Sequence, residues 1–482
     1  MFLGTRLPYL GYDISNSDAL RWHRRSERFL EAVKHLNFAD TYQHYQPGVT
    51  LMWLGAGIKQ ITHSYQLTQN ADFYPKIDGL IRSFLVISLG ILLVFQGWML
   101  NKLFSRQTSL FYMTLVALEP YLIGIDRWMH LTSLETYFAF TAFLALLVWR
   151  KFGRLTFLLF SSGCFALAVL SKVSALVVGV VLLAIIVETI FSKFSKQNTL
   201  KQGVVGTVRY CLVFGLAFCF AFFVSFPAMW VSPITVIQNL FGAVTNAVSG
   251  DVSGTYQTAG YSYLYYIYIL CFKLSAITLF ILTIALVRFK KLLLNFEIRF
   301  VFLYLLVVFV SLTLADKKID RYVVSMIPPI LLLGAYALTT LSKKIQLVFL
   351  PSSVIYLALV SFTVFPVFSA YYSPIFGGTK RAVETGLYDN SGEYLAQAAM
   401  YLNTKGRDKN VVIPYNIESF SPYYKGRVSM DDTGDFANPD YIVASLDSTR
   451  KSLELPCTTV DKTFGPRDFP VVYVFSCFPQ QP

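Results

Sequence analysis

The sequence predicts an all-α polytopic membrane bundle with external loops and a small C-terminal α/β domain. Three observations predict this class: the hydrophobic composition, a series of long apolar runs, and the placement of Lys and Arg. Of the 482 residues, 55% are hydrophobic and 14% are charged, whereas soluble proteins are about a quarter charged. The composition therefore favours a membrane protein over a soluble one.

Ten apolar runs have the length needed to cross a bilayer, about 17 to 25 residues. They lie near residues 83–100, 108–125, 133–149, 155–170, 173–191, 210–226, 263–287, 299–315, 322–340 and 346–366. The run from Val49 to Ile61 is too short to span and is expected to lie at the interface. We predict ten spans in this sequence.

Basic residues fix the expected orientation, because cytoplasmic loops retain Lys and Arg. With the loop after the first span on the cytoplasmic side, five cytoplasmic loops hold fifteen Lys and Arg and one acid, Glu297. The net charge of +13 thus reflects membrane topology, and no basic domain suggests nucleic-acid binding. The outer face receives residues 1–82, the short outer turns and the tail from Tyr371, as expected for a bacterial plasma (inner) membrane protein.

The sequence divides into three predicted parts: an external first loop with amphipathic helices (1–82), the transmembrane bundle (83–370) and an extracytoplasmic α/β domain (371–482). The opening MFLGTRLPYL is neither a signal peptide nor a full span. Because a long outer loop rich in basic residues has no preceding span to carry it across, we expect an eleventh transmembrane helix upstream of residue 1; the alternative is a first loop that is translocated without one.

The tail is predicted to contain one amphipathic helix, N-capped by Ser391, and strands in NVVIPYN, DYIVASLDS and PVVYVFSCF. Two of the six cysteines, Cys457 and Cys477, lie in this tail, where an oxidising compartment permits a disulfide. Their spacing leaves open whether they pair. The other four cysteines lie in spans, where they behave as small hydrophobic side chains.

Asp18 is the first candidate functional residue, in the segment DALRWHRR. A carboxylate set before an aromatic and a basic pair, Trp22, Arg24 and Arg25, suits a general base near a substrate. Asp is also a favoured N-cap, and Asp18 precedes a predicted helix from Ala19 to His35. The two roles are compatible, so both stay open.

Cations at the outer ends of spans form the second candidate group. Arg127 and His130 are three residues apart on one helical face, Lys172 ends a span, and Asp320-Arg321-Tyr322 opens another. Each cation alone could snorkel to the interface. Several of them on the side that is normally poor in Lys and Arg, together with Lys317 and Lys318, favour anion binding. Trp230 reads as an interfacial anchor or a substrate contact.

Six stretches in order resemble the GT-C superfamily of polyprenyl-phosphate-sugar-dependent glycosyltransferases, nearest the bacterial and archaeal relatives of protein O-mannosyltransferases. They are DALRWHRR, FADTYQHYQPGVTLMW, ALEPYLIGIDRWMH, LSKVSAL, FPAMWVSP and KKIDRYVVSMIPPI. The ordered set covers essentially the whole membrane part. This chain departs from the family pattern at Ala19, Gln46 and Thr132, where the family often has an acid, a His and an acid; Glu135 is a candidate stand-in for the last.

The resemblance implies transfer of mannose or a similar hexose, with inversion, from a polyprenyl-phosphate donor to an extracytoplasmic acceptor hydroxyl on a protein, lipid or glycan. It implies Asp18 as the general base, and Arg127, His130, Lys172 and Arg321 around the donor phosphate. The expected substrate-lining residues are Trp22, Arg24, Tyr45, Gln46, Trp230, Asp320 and Tyr322. No cofactor is expected. A divalent metal stays open as an alternative without support in the sequence, because Ala19 stands where the family has a second acid and two carboxylates bind a divalent metal better than one.

Two other functions fit the same composition. A transporter or flippase of polyprenyl-linked sugars would share the spans and the cationic edges, although such proteins tend to show internal repeats, which are lacking in this sequence. A non-catalytic membrane subunit would use its tail for docking and have no use for Asp18. Clustering of the polar residues on one face favours the transferase.

Overall fold

The computed structural model describes residues 1–65, 70–195, 200–248, 262–430, 439–446, 457 and 459–477. Three helices precede the bundle: α1 (Phe2–Arg6), α2 (Ala19–Lys34) and α3 (Val49–Thr62). The membrane part follows as α4 (Tyr74–Leu103), α5 (Arg106–Leu118), α6 (Pro120–Asp126), α7 (Leu131–Phe152), α8 (Leu155–Ser171), α9 (Leu176–Ser195), α10 (Leu200–Ser225), α11 (Ala228–Val231), α12 (Pro233–Val248), α13 (Tyr265–Lys273), α14 (Ala276–Val287), α15 (Phe289–Leu292), α16 (Phe296–Leu314), α17 (Ile327–Thr339) and α18 (Lys343–Val364).

Every predicted apolar run coincides with a helix or a pair of helices. Within the described residues, seven helices are long and apolar enough to cross a membrane, or eight if α5 and α6, which meet at a bend of 68°, form one span. The helix α8 and the helix α14 are apolar but shorter. The chain is an integral membrane protein, and the count of ten spans stays a prediction.

The helix α7 forms the centre of the bundle. In its most apolar window, 94% of the residues are buried inside the protein, whereas none of the residues in the corresponding window of α10 is buried. A helix that is apolar all round belongs either in a protein interior or against lipid. The helix α7 is the interior case, and α10 faces the bilayer.

The first loop packs on the bundle through one face of α2. Trp22, Ser26 and Phe29 recur at helical spacing and are buried against α3. Gly55 of α3 lies under Ser26, and a Cβ at that glycine would come within 2.5 Å of the Ser26 hydroxyl oxygen. The small residue therefore lets α2 and α3 approach closely.

In its described residues the tail forms a small α/β unit with three α-helices, α19 (Gly378–Glu384), α20 (Leu395–Asn403) and α21 (Ile417–Phe420). Its five-stranded sheet has the order β2-β1-β3-β5-β4, built from β1 (Asn410–Val412), β2 (Arg427–Ser429), β3 (Tyr441–Ser445), β4 (Thr459–Phe464) and β5 (Val472–Ser476). The strand β1 pairs in parallel with β2 and β3, and β5 pairs antiparallel with β3 and β4.

All three predicted strands are present, although the last residues of DYIVASLDS lie outside the described part of the chain. The strands β2 and β4 were not predicted. The strand β2 has only three residues, and β4 is largely solvent-facing and so lacks a marked apolar pattern. Cys457 and Cys477 form a disulfide. The N-cap assignment of Ser391 is wrong: α20 begins at Leu395, after a residue, Tyr394, with a left-handed backbone.

Candidate functional site

Asp18 occupies the position before α2, but its side chain does not cap that helix. The turn into the helix is made by Asn16, whose Oδ1 accepts a hydrogen bond from the Asp18 backbone N–H at 3.0 Å. The Asp18 carboxylate is therefore available for other partners. The capping role that the sequence left open does not apply to this carboxylate.

Three basic side chains converge on the Asp18 carboxylate. Its Oδ2 lies 3.3 Å from Arg321 Nη2 and 3.5 Å from His130 Nε2, and its Oδ1 lies 3.8 Å from Arg21 Nη1. The side chain remains 27% exposed. Segments from the first loop, from the start of α7 and from the end of the outer turn before α17 thus meet at one accessible carboxylate.

The tautomer of His130 follows from its second nitrogen. Nδ1 accepts a hydrogen bond from the Thr132 backbone N–H at 3.2 Å, so the ring proton lies on Nε2, which faces Asp18. Burial, together with the positive charges of Arg321 and Lys172, lowers the pKa of His130 to about 4 against the hydrogen bond with Asp18. His130 is therefore neutral at pH 7 and acts as a hydrogen-bond donor to the carboxylate.

The electrostatics keep Asp18 ionised. Burial works against the charged form, but the hydrogen bond and charge of His130 and the charge of Arg321 outweigh it, and the pKa of Asp18 falls below its ordinary value. Since His130 is neutral at pH 7, we assign the charge stabilisation chiefly to Arg321. An ionised carboxylate at an exposed position can accept a proton from a hydroxyl group.

A cavity of about 240 Å³ opens beside this cluster. Its polar lining comes from outer loops and outer helix ends and includes Gln46, Lys172, Lys317 and Tyr322. Farther into α7 and α16 the lining is mostly apolar, with Ala139 and Val308 beside Tyr304. A site with cations at the membrane surface and an apolar depth suits an amphiphile that carries an anionic head group.

Lys172 is held at the mouth of this cavity. Its ammonium lies 3.5 Å from Glu135 Oε2 and 4.2 Å from the centre of the Tyr322 ring. The other Glu135 oxygen accepts a hydrogen bond from the Ser174 hydroxyl at 2.5 Å. These contacts fix the direction of Lys172, and Glu135 lies with Thr132 among the lining residues of the cavity.

The loop before α3 is pinned to the same edge. The Val173 backbone N–H donates to Gln46 Oε1 at 3.2 Å, and the Gly48 N–H donates to the Ser171 carbonyl at 3.2 Å. Gly48 has a φ of +60°, and a Cβ there would collide with the Trp22 ring. Gln46 is thereby held in the cavity lining, and Gly48 lies against the buried Trp22.

Arg127 is not brought into this cluster. Its guanidinium binds Asp13 Oδ2 through Nε at 2.9 Å and Nη2 at 2.8 Å, and its side chain is 1% exposed. Arg82 binds the other Asp13 oxygen at 2.7 Å and donates to the Arg127 carbonyl. The assignment of Arg127 as a donor-phosphate ligand is therefore wrong, because its guanidinium is buried in an ion pair with the Asp13 carboxylate.

Four of the expected lining residues lie in other surroundings. Trp22 is buried beneath Gly48, with the Arg25 guanidinium 4.5 Å above its ring, while Arg24 is exposed on α2. Asp320 is buried and lies 3.3 Å from the Lys273 ammonium. Trp230 donates from Nε1 to the Phe223 carbonyl at 2.7 Å and packs edge-on to Phe38, as an interfacial anchor would. Gln46 and Tyr322 are the expected residues that line the cavity, whereas Tyr45 is exposed beside Gln46 and is not one of the lining residues.

Several residues of the site were not assigned from the sequence. Arg21, beside Asp18, lies 2.8 Å from Glu418 of the C-terminal unit, and Arg321 Nη1 donates to the Ser391 hydroxyl at 3.3 Å. Lys317 was noted only as a cation at an outer edge. The contacts of Ser391 and Glu418 join residues 70 and 397 positions apart, so no local pattern could have indicated them.

Within the described residues, no three His, Cys, Asp or Glu side chains are grouped so that they could hold a metal ion. No family model matches the sequence, and no curated protein matches it.

Two kinds of solved structure are similar to the chain. ArnT from Cupriavidus metallidurans, bound to undecaprenyl phosphate, has a TM-score of 0.48 and 14% sequence identity, over 87% of this chain and 72% of that one. The oligosaccharyltransferase AglB from Archaeoglobus fulgidus, in complex with an inhibitory peptide and a dolichol-phosphate, has a TM-score of 0.46 and 10% identity, over 90% and 66%. The chain spans about two thirds of the length of that enzyme. The resemblance to the GT-C superfamily, and to the relatives of protein O-mannosyltransferases within it, stays a prediction from the sequence motifs.

Proposed function

We propose that the protein transfers a sugar from a polyprenyl-phosphate donor to an acceptor hydroxyl, with inversion at the anomeric carbon. The observation that carries the proposal is the position of the amphiphilic cavity, which has Lys172 and Lys317 at its mouth and opens beside the ionised Asp18. The isoprenoid chain would enter the apolar depth, and its phosphate would meet the cations. Undecaprenyl phosphate in the ArnT structure is a ligand of this chemical class.

In the proposed reaction, Asp18 takes the proton from the acceptor hydroxyl while the hydroxyl oxygen attacks the anomeric carbon. The bond between that carbon and the phosphate oxygen breaks, and the polyprenyl phosphate leaves with the electron pair. Lys172 and Arg321 stabilise the charge that develops on the leaving phosphate. His130 donates to Asp18 through Nε2 and holds the carboxylate in place.

Donor binding would also tune the base. In the free protein Arg321 stabilises the ionised form of Asp18, which makes the carboxylate a weak proton acceptor. A phosphate near Lys172 and Arg321 would offset their positive charge and raise the pKa of Asp18. The base would therefore strengthen when the donor is in place.

The sugar in this proposal is mannose or a similar hexose, and the acceptor is a protein, lipid or glycan hydroxyl on the outer side of a bacterial plasma membrane. Support for the side comes from the fifteen basic residues of the expected cytoplasmic loops. The first loop and the tail lie on one side, since Ser17 donates to the Ser391 carbonyl at 3.0 Å. In a Ser421→Cys variant, an impermeant thiol reagent should label the new cysteine in intact cells. Labelling only after permeabilisation would show that the tail lies on the cytoplasmic side.

The test of the activity uses purified protein in liposomes with undecaprenyl-phosphate donors that carry labelled mannose or glucose. We expect release of undecaprenyl phosphate and transfer of label to an acceptor from the membrane or the cell envelope. Label that crosses the membrane with the donor intact would identify a transporter. Absence of both turnover and undecaprenyl-phosphate binding would overturn the proposal.

A further inference from the structure

The C-terminal unit contacts Arg321, the ion-pair partner of the proposed base, through the loop that contains Ser391. The Arg321 guanidinium lies between the two: Nη2 is 3.3 Å from Asp18 Oδ2, and Nη1 donates to the Ser391 hydroxyl at 3.3 Å. The arginine that stabilises the ionised base is therefore held from its far side by the tail. The Ser391 hydroxyl is placed to set the direction of Arg321.

A buried carboxylate fixes the position of Ser391. The Ser391 backbone N–H donates to Glu393 Oε2 at 2.7 Å, and Glu393 Oε1 accepts from the Ser369 hydroxyl at 2.8 Å. Both Ser391 and Glu393 are buried. The loop also binds Asn416, whose side-chain amide donates to the Asn390 carbonyl at 2.9 Å. The hydroxyl that meets Arg321 thus belongs to a braced turn.

The same turn is closely fitted to the first loop. Ser17 donates its backbone N–H to the Ser391 carbonyl at 3.0 Å. Gly392 has a φ of +113°, and a Cβ there would come within 2.5 Å of the Ser15 carbonyl oxygen. Only glycine accepts both this backbone conformation and this approach without strain. Docking of the tail therefore brings Ser391 against Ser17, the residue directly before Asp18.

We propose that the docked C-terminal unit completes the site by supplying Ser391 as a positioning residue for Arg321. This inference rests on the proposed function. The Ser391 hydroxyl holds the Arg321 guanidinium beside the Asp18 carboxylate and near the cavity mouth. The hydrogen bond from the Ser391 backbone N–H to Glu393 in turn holds Ser391 in place. The tail is in this sense a part of the site and not an appended module.

The test compares Ser391→Ala and Ser391→Thr in the full chain in liposomes. A hydrogen bond to a charged group typically accounts for about a tenfold change in an equilibrium or more. We expect kcat per folded protein to fall about tenfold in Ser391→Ala, and Ser391→Thr, which keeps the hydroxyl, to restore most of it. Thr404→Ala is the matched control, because the Thr404 hydroxyl in the same unit donates locally to the Tyr401 carbonyl.

A double-mutant cycle separates positioning from a structural role. In an Arg321→Ala background, Ser391→Ala should reduce neither kcat nor the affinity for undecaprenyl phosphate any further. Additive effects in both measurements, or a Ser391→Ala protein that matches the wild type in both, would overturn the inference. If Asp18→Asn abolishes transfer while Ser391→Ala matches the wild type, only this inference fails. If the wild type transfers no sugar, the proposed function fails, and the cycle on undecaprenyl-phosphate affinity still decides the role of Ser391.

Discussion

Two clusters of carboxylates and arginines lie within the first loop and its surroundings, and they differ in how fully their charges are paired. The buried network consists of Asp13, Asp78, Arg82 and Arg127, all with side chains at most 1% exposed and ion pairs of 2.7 to 2.8 Å. The mouth cluster consists of two neighbouring groups, Asp18 with His130 and Arg321, and Glu135 with Lys172, with longer contacts of 3.3 to 3.5 Å.

Residue type alone therefore does not show which charged side chains are fully paired inside the fold and which are open to a further partner. Asp13 and Asp18 are five residues apart, yet both carboxylate oxygens of Asp13 form ion pairs with buried arginines. A buried pair of this kind ties elements together and is costly to break. Asp18 has longer contacts and a side chain that is 27% exposed, so its carboxylate is open to a further partner.

The largest effect on activity is expected for Asp18→Asn, which tests whether this carboxylate is the general base. The substitution keeps the side-chain shape but removes the proton acceptor, and a positioned general base accounts for about 10² to 10⁴ in rate. Sugar transfer from the polyprenyl-phosphate donor should fall by at least about two orders of magnitude. Expression and melting temperature should stay close to those of the wild type. Full turnover in Asp18→Asn would remove this carboxylate from the mechanism.

Asp13→Asn tests the other cluster with the same chemical change. Removing one partner of a buried ion pair typically destabilises a protein by about 3 to 5 kcal/mol, because Arg82 and Arg127 would keep buried charge without compensation. We expect a large loss of folded protein, measured as a lower melting temperature and yield. Turnover per folded molecule should change little; a catalytic loss without a stability loss would place Asp13 in the reaction.

Lys172→Ala and Arg127→Lys compare cations of the two clusters. A charge-assisted hydrogen bond contributes about 1.5 to 3 kcal/mol, so Lys172→Ala should weaken undecaprenyl-phosphate binding about tenfold or more. Arg127→Lys should lower stability and leave the affinity of the folded protein unchanged. Binding measured by titration in nanodiscs decides between them: equal losses of affinity in both variants would return Arg127 to the phosphate site.

The smallest expected effect concerns pH. His130 has a pKa of about 4, below the ordinary value of 6.5, so the unfolded chain binds a proton at this site more readily than the folded one. The neutral His130 therefore contributes fully to the free energy of unfolding above pH 6.5, and this contribution is lost as the pH falls from 6.5 towards 4. His130→Gln should therefore show a smaller loss of melting temperature between pH 7 and 4.5 than the wild type. Identical pH profiles would contradict this assignment, since His23 and His44 are present in both proteins.

Much of the site was predictable because local chemistry marks it. Asp18 stands before an amphipathic helix, and Lys172 and Arg321 stand at outer ends of spans where cations are uncommon. Arg127 shares that signature, and the prediction failed for it because its partner, Asp13, lies 114 residues away. The position in the sequence shows that a charge reaches the membrane edge, but not which carboxylate it meets there.

Composition and the spacing of apolar runs alone determine the membrane class and the order of the helices of this protein, since lipid leaves a chain few other ways to satisfy its backbone. The ordered motifs also mark Asp18, Lys172 and Arg321. Tertiary structure decided that Asp18 does not cap α2, that Arg127 is buried against Asp13 and that Ser391 meets Arg321. These contacts join residues brought together only by packing, where burial and distance determine which charges pair and which stay available for substrate.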